Sequence, residues 1–323
     1  MKNPVIEKHA GIVLSVAALL RIYLAIARFE ERMKLGTCLY NDQTYVCIAE
    51  GDGVLIPALE PGFDQPAWRD MLTLIDSGTD LAVVQASATD AMRVDAANIT
   101  LLAPIPRPRK NVMCLGLNYL EHAEETANQI GRTGKAPQYP IVFTKCPTSV
   151  TGHETEIPFD PDTCSQLDWE AELGVVLGKG GKKISRDQAL SHVFGYTVIN
   201  DLSARDIQLN HKQYFLGKSL DGGCPMGPWI VTADEIADPQ NLDISCRVNG
   251  VTKQASNTCN MIFDVSTIIE WLSRGMTLEA GDVIATGTPS GVGFVREPPE
   301  FLLPGDVVEC EVKSVGVLRN KIV

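Results

Sequence analysis

The chain has 323 residues, of which 45% are hydrophobic and 21% charged, with a formal net charge of −12. This length suffices for a large core, or for one large domain with a smaller one. The acidic balance and the absence of any Lys/Arg run argue against a nucleic-acid partner, because phosphate binding needs a basic face. Nine cysteines without a C-x-x-C pair read as reduced thiols of a cytosol-like compartment.

Residues 1–32 differ in character from the rest. Residues 11–20 form an apolar run behind Lys2 and Lys8, in the manner of a signal-peptide core, and Arg21 interrupts it. The run falls short of the roughly 20 apolar residues that a bilayer span requires. One reading is a membrane anchor. The reading preferred here is that Met33 is the start and that 1–32 is an over-extended reading frame. From 33 to 103 short strands alternate with turns. Residues 34–39 and 43–49 flank the turn Asn41-Asp42, and 68–77 has helical spacing (Trp68, Met71, Leu72, Ile75) that ends at Gly78. This segment is expected to be a small α+β domain without a catalytic constellation. The proline-rich stretch at 103–110 is the expected boundary, and 104–323 is the expected catalytic domain.

A strand over 111–117 leads into Asn118-Tyr119-Leu120-Glu121-His122-Ala123-Glu124-Glu125. On a helix His122 and Glu125 share a face, and a carboxylate beside an imidazole makes a general-base pair. The alternative is an exposed helix with a casual ion pair. Residues 127–140 are polar, with Gly131, Gly134 and Pro137, and read as a mobile loop. Lys145 ends the next apolar strand, where its ammonium is either buried and compensated or snorkels to the surface.

The run Leu167-Asp168-Trp169-Glu170-Ala171-Glu172-Leu173 continues as an apolar stretch to Gly178 and reads as a buried strand. Strand alternation puts Glu170 and Glu172 on one face. Adjacent buried carboxylates repel, and they need a cation or a shared proton. A second apolar strand ends at Asp201. Three convergent carboxylates with no nearby Cys or His suit a hard cation such as Mg²⁺ or Mn²⁺. Two solvent-facing glutamates on an edge strand are the alternative reading. A short helix with Ser185 as N-cap is expected over 183–192. Arg205 and Gln208 follow Asp201 one and two turns on. The glycine-rich stretch 216–228 lacks the G-x-x-x-x-G-K-[ST] spacing of a phosphate loop. Cys146 and Cys224 have no neighbouring His and read as small buried residues. The last third is mostly β: a hairpin on Asn249-Gly250, a helix over 264–273, a buried strand over 283–286 running into the glycine loop 287–293, and strands over 307–312 and 316–322.

Taken together, Gly116-Leu117-Asn118-Tyr119 with His122, Phe143-Thr144-Lys145, Asp168-Trp169-Glu170-Ala171-Glu172-Leu173, Asn200-Asp201-Leu202-Ser203-Ala204-Arg205-Asp206, Gly217-Lys218-Ser219 and Thr286-Gly287-Thr288-Pro289-Ser290-Gly291-Val292-Gly293 resemble the fumarylacetoacetate hydrolase (FAH) family over about 104–323. The likeness is to the FAH-domain-containing branch, which includes oxaloacetate tautomerase-like and acylpyruvate hydrolase-like proteins. It implies an α+β, mostly β FAH fold, with a mixed β-roll or β-sandwich core, in a homodimer. It implies Mg²⁺ (Mn²⁺ or Ca²⁺ in some members) on Glu170, Glu172 and Asp201, an acid/base pair of His122 and Glu125 on a segment that orders with ligand, Lys145, Arg205, Gln208 and Lys218 around the substrate oxygens, and Thr288 at the ligand carboxylate. Gly152-His153 departs from the family resemblance, in which Gly-Pro or a small residue is frequent at this place, at the expected pocket rim. The implied enzyme acts on a small 2-oxo or β-dicarbonyl acid through an enolate. C–C hydrolysis of an acylpyruvate is the first expectation, and oxaloacetate keto–enol tautomerisation or a non-catalytic binding protein are the alternatives. The expected compartment is the cytoplasm, or the mitochondrion in a eukaryote.

Overall fold

The computed structural model describes residues 33–62, 66–81, 92–127 and 134–323, and the readings made of 1–32 and of residues 128–133 in the loop after Ala127 lie outside them. In chain order the longer strands are β1 (Lys34–Tyr40), β2 (Gln43–Glu50), β3 (Gly53–Leu55), β4 (Arg93–Asp95), β5 (Val112–Gly116), β6 (Ile141–Lys145), β7 (Ala171–Leu177), β8 (Val193–Asn200), β9 (Cys224–Thr232), β10 (Asp243–Val248), β11 (Val251–Asn257), β12 (Val283–Ala285), β13 (Val307–Val312) and β14 (Gly316–Ile322). Among the described residues the α-helices are short: α1 (Met71–Ser77), α2 (Leu120–Thr126), α3 (Arg205–Asn210), α4 (Phe215–Lys218) and α5 (Val265–Ser273).

Among the described residues one large sheet runs β4-β3-β2-β1-β9-β8-β7-β12-β5-β6, and a second runs β11-β10-β13-β14 and ends on the short strand Glu156–Ile157. The chain is mostly β, as expected. Residues 33–103 supply β1–β4 to the large sheet, where β1 pairs antiparallel with β9 through Lys34↔Val231 and Leu35↔Ile230. The proline-rich boundary therefore does not interrupt the sheet.

β7 is the strand that places the site. It lies between β8 and β12, and all seven of its residues are buried. A strand covered on both faces has little reason to carry a charge, which makes Glu172 within it costly unless it is compensated. Its flanks are set by local chemistry. α5 begins where the Asp264 carboxylate accepts the Thr267 N–H at 2.7 Å. It buries Val265, Ile268, Ile269 and Leu272, each contributing roughly 1.5–3 kcal/mol of burial. α1 starts at Asp70, which accepts the Thr73 N–H, and stops at Gly78 in the left-handed region.

One expected element differs. Residues 183–192 do not form an α-helix: only Ala189–His192 is helical, as a 3₁₀ turn, and Ser185 caps nothing. Lys183 sits at φ 55°, its N–H goes to the Ser273 carbonyl at the end of α5, and Gln188 N bonds Ser185 O in an i→i+3 pattern. These tertiary and turn bonds consume the groups that an α-helical first turn would need.

Candidate active site

Glu170 immediately precedes β7 and Glu172 lies inside it, with their carboxylates on the same side. Asp201 follows the end of β8, which runs antiparallel to β7 with Ala171 opposite Asn200. The Asp201 N–H bonds the Glu170 carbonyl at 2.9 Å, and Asn200 Oδ1 accepts the Glu170 N–H at 3.0 Å. Ligand atoms of Glu170, Glu172 and Asp201 lie within 4.8 Å of one another, and all three residues are buried. The solvent-facing reading of the two glutamates is excluded.

Three cations surround them. Lys218, at the end of α4, donates to Glu170 Oε2 at 2.7 Å and to Asp201 Oδ2 at 2.8 Å. Lys145 at the end of β6 is fully buried and donates to Asp201 Oδ1 at 2.6 Å and to the Leu202 carbonyl at 2.9 Å. Arg205 opens α3 and reaches Glu170 Oε1 at 2.7 Å and Asp168 Oδ2 at 2.8 Å. Burial works against the charged form of Glu170, yet Lys218, Arg205 and His122 outweigh it and hold its carboxyl down to about 2. For Glu172 burial, reinforced by the charges of Asp201 and Glu170, pushes the carboxyl well above the ordinary range. Its Oε2 accepts the Gly287 N–H at 2.8 Å, while its Oε1 is buried with no partner.

That unpartnered oxygen tests whether a cation fits. Four buried carboxylates (Asp168, Glu170, Glu172, Asp201) face three buried cations (Lys145, Arg205, Lys218). The surplus falls on Glu172, whose free oxygen belongs to an all-oxygen triad with no Cys or His in it. A hard divalent cation supplies what is lacking. Glu170, Glu172 and Asp201 are the residues that would hold it.

The dyad forms as well. α2 places His122 Nδ1 at 2.8 Å from Glu125 Oε1. The same carboxylate accepts the Gly291 N–H at 2.9 and 3.1 Å, so both partners of Glu125 are fixed. An ionised carboxylate only accepts, so Nδ1 carries the ring proton and Nε2 is left as the basic atom. His122, Glu170, Arg205, Gln208, Lys218 and Thr288 line one cavity, with Leu117, Phe143, Tyr214 and Phe294 as further walls. Gln208 Oε1 accepts from Arg205 Nη1 at 2.9 Å, which leaves the amide NH₂ of Gln208 as its free end.

Two expected substrate groups already have partners within the protein. Lys145 is absent from the cavity lining and stands behind Asp201. The Thr288 hydroxyl donates to the Ala171 carbonyl at 2.9 Å and accepts from Gln254, so its proton is already committed. His153 lies away from the cavity and accepts the Arg319 N–H. All nine cysteines are unpaired, Cys224 buried and Cys146 half-buried.

The sequence reading missed Asp168. It is fully buried and accepts from Arg205 Nε, Trp169 N, Gly293 N and Phe294 N at 2.7–3.1 Å. It thereby joins Arg205 to the glycine loop, and the Phe294 ring lies 4.2 Å below the guanidinium. The period-two spacing of Asp168, Glu170 and Glu172 was the available signal. Asn118 was also missed: its side chain bonds the Phe263 N–H, the Phe263 carbonyl and the Thr286 carbonyl. Gly287, at φ 96°, packs so closely on Asn118 that a Cβ there would lie 2.7 Å from the Asn118 Cβ.

Residues 111–323 match the model of the family described as fumarylacetoacetate (FAA) hydrolase C-terminal. The chain belongs to the fumarylacetoacetate hydrolase family. It is 50% identical over 226 residues to the oxaloacetate tautomerase YisK of Bacillus subtilis (strain 168), covering 70% of this chain and 74% of that protein. It is 43% identical over 265 residues to the human mitochondrial oxaloacetate tautomerase FAHD2A, covering 81% of this chain and 82% of that one. Among solved structures it resembles the fumarylacetoacetate hydrolase of Exiguobacterium antarcticum, with TM-score 0.78 and 39% identity over 90% of this chain and 99% of that chain. It also resembles a 2-hydroxyhepta-2,4-diene-1,7-dioate isomerase from Mycobacterium marinum, with TM-score 0.69 and 31% identity over 90% and 98%. The protein is thus an enzyme of this family, and no helix among the described residues is long and apolar enough to cross a membrane.

Proposed function

We propose that the protein is a Mg²⁺-dependent oxaloacetate keto–enol tautomerase. The observation that carries this reading is the likeness to relatives named oxaloacetate tautomerase over most of the chain. It favours tautomerisation, the second expectation drawn from the sequence, over acylpyruvate hydrolysis, the first. Mg²⁺ held by Glu170, Glu172 and Asp201 would act as a Lewis acid toward a 2-oxo carboxylate.

The chain's own groups supply the proton chemistry. Keto oxaloacetate becomes the enol when a proton leaves C3 and one arrives on the 2-oxo oxygen, with no bond between carbons broken and no water consumed. His122 Nε2 takes the C3 proton, and Glu125, held by Gly291 N–H, stabilises the imidazolium and fixes the ring tautomer. The same nitrogen returns the proton to oxygen, or to C3 in the reverse direction. Lys218 is raised from its ordinary value because Asp201 and Glu170 outweigh the effect of burial. It remains a cation and stabilises negative charge on the substrate oxygens. Arg205 and the free amide NH₂ of Gln208 orient the substrate's carboxylate oxygens. Asp201, pinned by Lys145, stays in place through the cycle. A homodimer is the assembly that the family resemblance supports, and light scattering that gives a single-chain mass would count against it.

The test follows enol-oxaloacetate in ultraviolet light beside an acylpyruvate. Rapid loss of enol absorbance with oxaloacetate recovered intact supports the tautomerase. Acylpyruvate cleavage with release of the acid, and no effect on the enol, would replace it with the hydrolase reading.

A further inference from the structure

β7 and β12 pair through Gly174↔Ala285, Val175↔Ile284 and Val176↔Val283. Beyond Ala285 the chain leaves the sheet as the glycine loop, and the Thr286 N–H makes the last backbone-to-backbone bond to β7, through Leu173 O. Ala171, between Glu170 and Glu172, thus has no neighbouring strand on that side. It is fully buried, so an unpaired amide or carbonyl there would be expensive.

Side chains replace the missing strand. Gln254, on β11 of the second sheet and only 1% exposed, accepts the Ala171 N–H on Oε1 at 2.9 Å. Its Nε2 donates to Thr288 Oγ1 at 2.8 Å and to the Pro289 carbonyl at 2.9 Å. The Thr288 hydroxyl closes the ring on the Ala171 carbonyl at 2.9 Å. The orientation of the amide is dictated by these partners, a donor on one side and a carbonyl on the other. The contact is also close-packed: a Cβ on Gly291 would stand 2.2 Å from the Lys253 carbonyl.

We infer that Gln254 is a positioning residue for the metal ligands. It holds the peptides that flank Glu170 and Glu172 without a neighbouring strand, which leaves that side open for the cavity. It also pins the glycine loop, whose Gly287 and Gly291 N–H groups hold Glu172 and Glu125. Gln254 touches neither the cavity nor the carboxylates, and it acts through Ala171 and Thr288. The inference rests on the cation reading of the triad and is independent of which substrate the enzyme turns over.

The test is a calorimetric titration of Mg²⁺ into EDTA-stripped, dialysed full-length protein, with thermal melting as the check of folding. Gln254→Met keeps length and burial while removing the three hydrogen bonds. Partners that orient metal ligands typically contribute about 10- to 100-fold to affinity, so the variant is expected to melt cooperatively and to bind Mg²⁺ at least about tenfold more weakly. Asn320→Leu is the control. Asn320 is equally buried and bonds the Gly152 and Thr155 carbonyls, away from the triad. It is expected to melt lower with wild-type Mg²⁺ affinity. Thr288→Val cuts the same ring from the other side and carries the test if Gln254→Met does not fold. In the double variant the two losses should be less than additive. Wild-type affinity in Gln254→Met, or an equal loss in Asn320→Leu, overturns the inference. A wild-type protein that binds no Mg²⁺ overturns the cation reading and the inference with it. Mg²⁺ binding without oxaloacetate turnover sinks only the proposed function.

Discussion

Replacing Glu172 by glutamine should stabilise the metal-free protein and abolish its response to Mg²⁺. Glu172 is 1% exposed, one of its oxygens has no partner, and burial with the charges of Asp201 and Glu170 raises its carboxyl well above the ordinary 4.5. The folded state therefore holds a proton that the unfolded chain has released. The stability that Glu172 contributes to the metal-free protein is fully present below about pH 4.5 and is lost as pH rises toward the folded-state value, by about 1.4 kcal/mol for each pH unit in that window. For a chain of this size that is roughly 2 °C of melting temperature per kcal/mol. Mg²⁺ needs the ionised carboxylate, so it binds with release of this proton and more tightly as pH rises. At one hundred times its dissociation constant, Mg²⁺ adds about 2.7 kcal/mol. The amide of the Glu172→Gln variant keeps an oxygen for the Gly287 N–H and carries no titrating proton. Scanning calorimetry from about pH 5 to 8, with EDTA and with Mg²⁺, reads both effects in the window above the unfolded carboxyl value. Wild type should show a Mg²⁺ shift that grows with pH, and Glu172→Gln should show a flatter, higher metal-free profile and no shift. A Mg²⁺ shift of wild-type size in Glu172→Gln, or a wild-type shift independent of pH, would refute the assignment.

Other perturbations separate the parts of the site. His122→Gln should lower kcat by about 10²–10⁴-fold, the usual contribution of a general base, while leaving Mg²⁺ affinity within a few-fold of wild type; calorimetry beside the enol assay checks this. Asp168→Ala leaves Arg205 without its Nε partner and the Gly293 and Phe294 N–H groups unpaired, which should cost about 3–5 kcal/mol in urea unfolding, and a loss under about 1 kcal/mol would show that the hub is dispensable. Lys145→Met frees Asp201 Oδ1 but leaves the cavity wall intact. It should therefore lower the stability of the folded protein with little change in KM, and a large KM effect alone would place Lys145 on the substrate instead.

Much of the site was legible because its logic is local. The two-residue spacing of Glu170 and Glu172 fixes their common face in any strand, and a three-residue spacing aligns His122 with Glu125 on any helix. The hairpin at Asn249-Gly250 and the helices expected at 68–77 and 264–273 are likewise set by neighbouring residues. What escaped is set by distant chain. Lys145 reads as a strand-terminal lysine, and only the approach of Asp201, 56 residues on, gives its buried ammonium a partner. Gln254 is an ordinary hairpin residue until the fold places it against Ala171, 83 residues earlier. The pairing of β1 with β9 joins the first described strand to one in the last third of the chain, and nothing in the periodicity of either indicates it. Residues 183–192 were misread because the Lys183 and Ile184 N–H groups are taken by the end of α5 and the following groups close i→i+3 turns rather than an α-helical ladder.

The most direct test of the proposed function is one progress curve. Fresh enol-oxaloacetate is mixed with the purified protein and Mg²⁺, and absorbance is followed while oxaloacetate and pyruvate are quantified. Loss of the enol far above the uncatalysed rate, abolished by EDTA and by His122→Gln, with all carbon recovered as oxaloacetate, is the expected result. An unchanged enol decay in Mg²⁺-loaded protein, together with cleavage of an acylpyruvate, would contradict it.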